Sequence, residues 1–329
     1  MSAKISDVAK KAGVSTATVS RIINNLSGFS EETKIRVEEA IRELGYKPNA
    51  VARGLVSART HTIGVLLPCL SSRYSSQLIH GIETEAHRRG YSVIICNTDR
   101  NGERTLEYLR ILSEKRVEGI IFASEWVKEE YGRYMLDLSI PVVLVSTYSD
   151  HFPFPYVRVD DKQAAYTSFK YLLDKGHRKI GFISGTSDDP VAGAPRIEGY
   201  RKALAEYDQS FDEKLLVYGD FHFESGASGM EVLWNENKDL TAVFASSDEM
   251  ALGALTFLHG KGVNIPGDIS VMGYDDTLDA VMAVPALTTL HQPVEEMGIC
   301  AMGLLLEGDD SNSIIMKHWV KERNSVREL

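Results

Sequence analysis

The sequence predicts an all-α head of helix-turn-helix form, followed by an α/β body of two doubly wound parallel-sheet lobes. Three observations predict it. The first sixty residues carry helix-cap signals with apolar positions at helical spacing. From Thr62 onward, short apolar runs bounded by turn residues alternate with amphipathic stretches, and these runs come in two similar series. A chain of 329 residues has room for about two to three folded units. Its 43% hydrophobic and 25% charged residues are ordinary globular values that exclude wholesale disorder.

In the head, Ser6 is read as the N-cap of a first helix, with Asp7 in its first turn and Val8, Ala9 and Ala12 as its apolar stripe. Gly13 ends that helix, because glycine accepts the left-handed conformation of a helix C-terminus. Ser15 then caps a second helix, Thr16–Asn24, after a short turn that contains the glycine. Wound from Thr16, Ser20, Ala17 and Arg21 fall at about 40°, 100° and 140°, while Ile22, Val19 and Ile23 fall at about 240°, 300° and 340°. One side is an apolar stripe for the first helix. The other offers hydroxyls suited to phosphate and an arginine that can donate twice to guanine O6 and N7. An ordinary surface helix winds the same way, so the face alone does not decide. A third helix opens at Ser30, with Glu31 and Glu32 in its first turn, clusters Val37, Ala40, Ile41 and Leu44, and stops at Gly45.

Next comes Tyr46–Leu55, where Pro48 and Asn49 mark a break and Asn49 can cap a very short helix from Ala50 to about Ala58. Gly54 weakens it, so the segment is expected to be coil unless something else orders it. Arg53 and Leu55 are the residue types of a minor-groove binder, a cation and an apolar wedge. A plain linker with one stray leucine reads the same way.

Charge is uneven along the chain. Residues 1–60 hold ten Lys/Arg against six Asp/Glu, a charge of +4, which leaves −14 for the remainder of a chain of net charge −10. A basic head on an acidic body suits local phosphate binding without general adhesion to nucleic acid.

The body's first predicted strand series is Thr62–Leu67, Tyr91–Cys96, Gly119–Ala123 and Pro141–Ser146; the second is Lys179–Ser184, Thr241–Ser246 and Ile269–Tyr274. Ligands of such sheets sit at the C-terminal strand ends. No G-x-G-x-x-G, G-x-x-x-x-G-K-[ST], G-x-S-x-G or H-E-x-x-H occurs. The nine histidines lack metal-ligand spacing, and His151, His177 and His222 are read as surface or loop residues. The neighbouring carboxylates Asp160-Asp161 and Asp275-Asp276 would point oppositely on a strand, so neither pair is an acid/base couple. No catalytic residue, metal site or cofactor is therefore expected. Cys69, Cys96 and Cys300 show no C-x-x-C spacing, and with the missing apolar signal segment they fit a cytoplasmic protein. No run of about eighteen apolar residues suggests a membrane span.

Two long motifs carry a resemblance: D-V-A-x-x-A-G-V-S-x-x-T-V-S-R-x-x-N at Asp7–Asn24 and L-G-Y-x-P-N-A-V-A-R-G-L at Leu44–Leu55. They resemble the lactose/galactose-repressor (LacI/GalR) family. The likeness continues through R-x-x-G-Y at Arg196–Tyr200, S-D-E-M-A-L-G-A-L at Ser247–Leu255, G-Y-D-D at Gly273–Asp276 and P-A-L-T-T-L-H-Q-P at Pro285–Pro293. It implies a transcription regulator, a repressor, that binds a pseudo-palindromic operator as a homodimer in the bacterial cytoplasm, at the nucleoid. It places Thr16, Ala17 and Arg21 at base-reading positions, with Ser15, Thr18, Ser20 and Asn24 on the same DNA face. In the hinge it implies DNA contacts at Asn49, Ala50, Arg53 and the intercalating Leu55.

The resemblance also implies domains at 1–46 (helix-turn-helix), 47–61 (hinge helix) and 62–329 (periplasmic-binding-protein-like body). Within the body, one lobe covers about 62–161 with 292–321 and the other 162–291 with 322–329. A small effector, a sugar or sugar phosphate, would lie between them. Its contacts would be Arg196 and Asp275 as charged partners, Asp160 as a third polar one, Tyr74 and Phe221 as aromatic walls, and Ser247, braced by Asp248.

Three departures bear on the effector. Ser71–Ser75 reads S-S-R-Y-S where many members have S-N-P-F-F, and Pro190 and Ala192 replace polar residues of purine-binding members. Val284 stands where members controlled by a phosphorylated carrier protein have arginine. A catabolite-type regulator with a protein partner, and a cytosolic sugar-binding protein or enzyme, remain alternatives.

Overall fold

The computed structural model describes residues 3–23, 26–46, 59–99, 102–186, 188–308 and 312–329. The chain divides into two compact units, Met1–Thr60 and His61–Leu329. Asn24 and the expected hinge contacts Asn49, Ala50, Arg53 and Leu55 lie outside the described residues.

The head has helices α1 (Ile5–Ala12), α2 (Thr16–Ile23) and α3 (Glu31–Leu44). Helix α1 starts two residues before the start that a Ser6 cap predicts. Lys4 is its N-cap, and the Lys4 N–H donates to the Asp7 carboxylate at 2.8 Å. Asp7 is thus the N3 acceptor that closes back on the N-cap residue, and the earlier start brings Ile5 against the head's core. The other caps are as predicted. Ser15 Oγ accepts from the Thr18 N–H at 3.1 Å and Ser30 Oγ from the Thr33 N–H at 3.2 Å. Gly13 ends α1 at φ 68° and Gly45 ends α3 at φ 60°, both left-handed. Val8, Val19 and Val37, one from each helix, are fully buried together with Ala12, Ile22 and Ala40 close by.

In the body, a first run comprises β1 (Thr62–Leu67), α4 (Arg73–Arg88), β2 (Ser92–Asn97), α5 (Thr105–Glu114), β3 (Gly119–Ala123), α6 (Glu129–Asp137), β4 (Val142–Val145) and β5 (Tyr156–Val159). The second comprises α7 (Asp161–Asp174), β6 (Ile180–Ser184), α8 (Gly193–Glu206), β7 (Leu216–Tyr218), α9 (Phe223–Glu236), β8 (Ala242–Ala245), α10 (Asp248–Gly260), β9 (Ser270–Asp275), α11 (Leu278–Met282) and β10 (Thr288–His291). Helix α12 (Val294–Glu307), β11 (Ile314–Met316) and β12 (Trp319–Lys321) close the chain.

The two sheets run β11-β5-β4-β3-β1-β2 and β12-β10-β9-β8-β6-β7. Every pairing described is parallel except β10 with β12, an antiparallel edge. The predicted series supply their central strands, and the strands not predicted (β5, β7, β10, β11 and β12) are three or four residues long. Central strands such as β3 and β4 are buried throughout, as their unbroken apolar runs require. After β10 the chain crosses so that α12 packs on α4 and β11 joins β5. It then crosses back, and β12 pairs with β10 through Leu290 and Val320. Residues 319–321 therefore belong to the second sheet, which puts that return earlier than the expected boundary after 321. His177 lies in a loop but is fully buried, with its ring nitrogens 3.1 Å from Thr241 Oγ1 and from the Arg327 carbonyl oxygen.

Candidate functional site

The head's outward face follows from how α2 is held. Val19 and Ile22 are buried, so the residues about 100–180° away around the helix must face outward. Ser15, Thr16, Ala17 and Arg21 are exposed there, and Thr18 and Ser20 are half-buried at its rim. The Ser15 and Thr18 hydroxyls lie 2.9 Å apart, so the cap also orients Thr18. A β-carbon at Gly28 would come 2.8 Å from Arg21 Nη1, which shows how closely that guanidinium lies along the loop after α2.

In the body, polar side chains gather at the C-terminal strand ends. Arg196 on α8 is 6% exposed. Its Nε and Nη2 donate to Asp161 Oδ1 at 2.9 and 2.7 Å, and Nη1 donates to the Ser246 carbonyl at 2.5 Å. The guanidinium lies 3.7 Å from the Tyr274 ring centre and 5.7 Å from that of Phe221. Tyr274 Oη donates to the same Asp161 oxygen at 3.2 Å. Burial opposes the Arg196 charge, but Tyr274, Asp161 and Asp275 around it raise its pKa above the ordinary arginine value.

Asp275 ends β9 at φ 126°, a conformation that residues with a β-carbon rarely adopt. Its Oδ1 accepts from Gln292 Nε2 at 2.8 Å. Burial, reinforced by the Asp248 carboxylate, pushes Asp275 well above the usual carboxylate range. Next to it, Asp276 sits at φ 63° and turns away, with its Oδ2 2.8 Å from His291 Nδ1 and its Oδ1 accepting from Arg323. Burial disfavours the Asp276 charge, yet the bonds from His291 and Arg323 outweigh that and hold its pKa low. Burial thus dominates at Asp275 and hydrogen bonding at Asp276.

Tyr74, in the first turn of α4, shares a hydrogen bond with the Ser146 hydroxyl. Burial raises its pKa, and Asp275 and Asp161 act in the same direction, so its ring lies in the field of the second lobe's carboxylates. Phe221, at φ 69°, lays its ring on Gly185, where a β-carbon would come 2.1 Å from the ring tip. Ser247 caps α10, accepting from the Met250 N–H at 3.0 Å, and its hydroxyl donates to the Phe221 carbonyl at 2.9 Å.

Two details differ from expectation. Asp160 caps α7 by accepting from the Gln163 N–H at 3.0 Å, and the carboxylate that meets Arg196 is its neighbour Asp161. Asp248 does not brace Ser247. It accepts from the Thr277 N–H at 2.7 Å, the Thr277 hydroxyl at 3.0 Å and the Thr289 hydroxyl at 2.5 Å, tying the turn after β9 to β10. Burial pushes Asp248 up to about 7 despite these bonds. Asp161, Tyr274, Gln292 and Ser146 are members of the cluster that the sequence did not single out.

Beside this cluster opens a cleft of about 650 Å³, lined by Pro68, Cys69, Leu70, Ser71, Asn97, Asp99 and Glu103 from the first run and His222, Glu224 and Glu249 from the second. Arg196, Asp275, Tyr74 and Phe221 are not among its lining residues.

Residues 60–322 match the family of periplasmic binding proteins and sugar-binding domains of the LacI family, and residues 4–49 match the bacterial regulatory proteins of the lacI family. The chain belongs to the LacI family of transcription regulators. Catabolite control protein A of Priestia megaterium is 38% identical over 99% of this chain and 100% of its own. The lac repressor dimer bound to operator and an anti-inducer superposes with a TM-score of 0.88 at 28% identity, over 99% of this chain and 100% of that one. A transcriptional regulator CelR–cellobiose complex superposes with a TM-score of 0.74 at 30% identity, over 98% and 99% of the two chains. Like its family, this regulator binds DNA through a helix-turn-helix head and is not an enzyme. Among the described residues of the LacI-family chain, no helix is long and apolar enough to cross a membrane.

Proposed function

We propose that this chain is a cytoplasmic repressor that binds a pseudo-palindromic operator as a homodimer and releases or tightens it when an uncharged sugar enters the cleft beside the Asp275–Arg196 cluster. The observation that carries the DNA half is the exposed Thr16–Arg21 face over a fully buried Val19. Arg21 reads guanine there, with Thr16 and Ala17 against the neighbouring bases. Residues 47–61 serve as the hinge between head and body, with Leu55 as its wedge in the duplex.

A homodimer is supported by an apolar patch on and beside α11, where Leu278, Val281, Met282 and Val284 are 54%, 54%, 67% and 79% exposed. A sugar is supported by the pairing of an acceptor carboxylate with aromatic rings, and by the cellobiose bound to the regulator CelR. Its being uncharged follows from the cleft's lining. Asp99, Glu103, Glu224 and Glu249 face it, and Arg196 is already neutralised by Asp161, so a phosphate ester meets repulsion. The effector acts through its different affinities for two lobe arrangements, and a coupling of about 1–3 kcal/mol changes operator affinity about 5–150-fold.

A thermal-shift screen of neutral sugars and their phosphates, followed by operator titration with each hit, tests this. At least one neutral sugar should shift operator affinity at least fivefold; no shift with any hit contradicts the reading. The likeness to catabolite control protein A favours a second reading, control by a protein partner. Operator affinity that responds to a phosphorylated carrier protein and to no sugar would establish it.

A further inference from the structure

Five buried side-chain atoms among the described residues have no hydrogen-bond partner, and three of them (Thr147 Oγ1, Ser184 Oγ and Ser246 Oγ) lie at or just beyond C-terminal strand ends, where a sheet of this type holds its ligand. Ser184 and Ser246 are both fully buried and stand side by side. Strands β6 and β8 are in register at Ile183 and Ala245, so the next residues, Ser184 and Ser246, are neighbours. Side chains alternate along a strand, so both serines take the face of Phe182 and Phe244, the face that also carries Tyr274. That is where Arg196 lies, with its Nη1 bonded to the Ser246 carbonyl. Phe221 covers Gly185, one residue beyond Ser184.

We propose that Ser184 and Ser246 are a further pair of effector contacts, receiving hydroxyl groups of a polyol that carries no anionic group. This rests on the cleft reading above and adds to it the two residues that select the ligand. A buried hydroxyl without a partner lowers stability, so a pair of them at a binding site calls for a group that completes them, and a ligand hydroxyl fits the place. Charge limits what that ligand is. The Arg196 guanidinium already spends its donors on Asp161 and on the Ser246 carbonyl, so it does not offer a free cation to a phosphate or carboxylate.

The full chain, Ser184→Ala and Ser246→Ala are compared by thermal melting without ligand and by calorimetric titration with glucose, galactose, ribose, trehalose, cellobiose and glucose 6-phosphate. Each variant should melt at the parent temperature or about 1–3 °C above it, because an unsatisfied hydroxyl is gone. Each should also bind the tightest neutral sugar about 5–50-fold more weakly, the loss expected of one hydrogen bond to a buried group. A lower melting temperature, an unchanged affinity, failure of every neutral sugar to bind, or tighter binding of glucose 6-phosphate overturns the proposal. An unchanged affinity would mean that the serines meet only a buried water. If a sugar binds and the serines matter but operator affinity ignores it, the regulatory reading fails and this one stands.

Discussion

Thr16, Ala17 and Arg21 stand exposed on a helix backed by buried Val19 and Ile22, whereas Arg196 and Asp275 are 6% and 7% exposed and bonded to Asp161, Ser246 and Gln292. The head can leave its face to water because the duplex brings its own acceptors and phosphates. The body must balance charge inside a low-dielectric cluster before any ligand arrives. Function and stability are therefore separable in the head and shared in the body.

Arg196→Ala leaves Asp161 buried without its ionic partner. It should cost about 3–5 kcal/mol of body stability in urea denaturation. A cost below about 1 kcal/mol would mean that the cluster is not structural. Arg21→Ala should do the opposite, costing about 1–3 kcal/mol at the operator with unfolding unchanged within about 0.5 kcal/mol. Equal losses on operator and random duplex would place Arg21 on phosphate. Ser247→Ala removes an N-cap together with the bond to the Phe221 carbonyl, and should cost about 1 kcal/mol by the same denaturation while weakening sugar binding.

The Asp248 carboxyl, raised to about 7 by burial, binds its proton more tightly in the folded chain than unfolded. Its contribution is present in full below the ordinary aspartate pKa and is lost as pH rises through about 7. Melting temperature followed from about pH 4 to 8 should thus decline less steeply in Asp248→Asn than in the parent. Parallel curves would show that Asp248 stays ionised.

Much of the fold was legible because its signals are local. Ser15, Ser30, Gly13 and Gly45 mark helix ends wherever the chain folds, and unbroken apolar runs such as Gly119–Ala123 mark buried strands. The Ser6 cap is not formed because the helix begins at Ile5 and Asp7 closes back on Lys4. Strands of three or four residues, such as Leu216–Tyr218 and Trp319–Lys321, are too short to show a period and exist through their neighbours.

The site was harder. Asp160 and Asp161 look alike in sequence, and only the start of α7 makes one a cap and the other the partner of Arg196. Gln292 stood inside a motif without a stated task. Ser184 and Ser246 are small residues at strand ends, with nothing in the one-dimensional pattern to separate them from packing. Family resemblance names Arg196, Asp275, Tyr74 and Phe221 as candidates, but not the bonds that hold them.

The most direct test of the whole account is selection of randomised duplexes by the full-length protein and by Arg21→Ala in parallel. The parent should enrich an inverted repeat with a guanine at one fixed position in each half-site, and the variant should lose that preference while still binding DNA weakly. Recovery of no common sequence by the parent, or of the same guanine by both proteins, would contradict it.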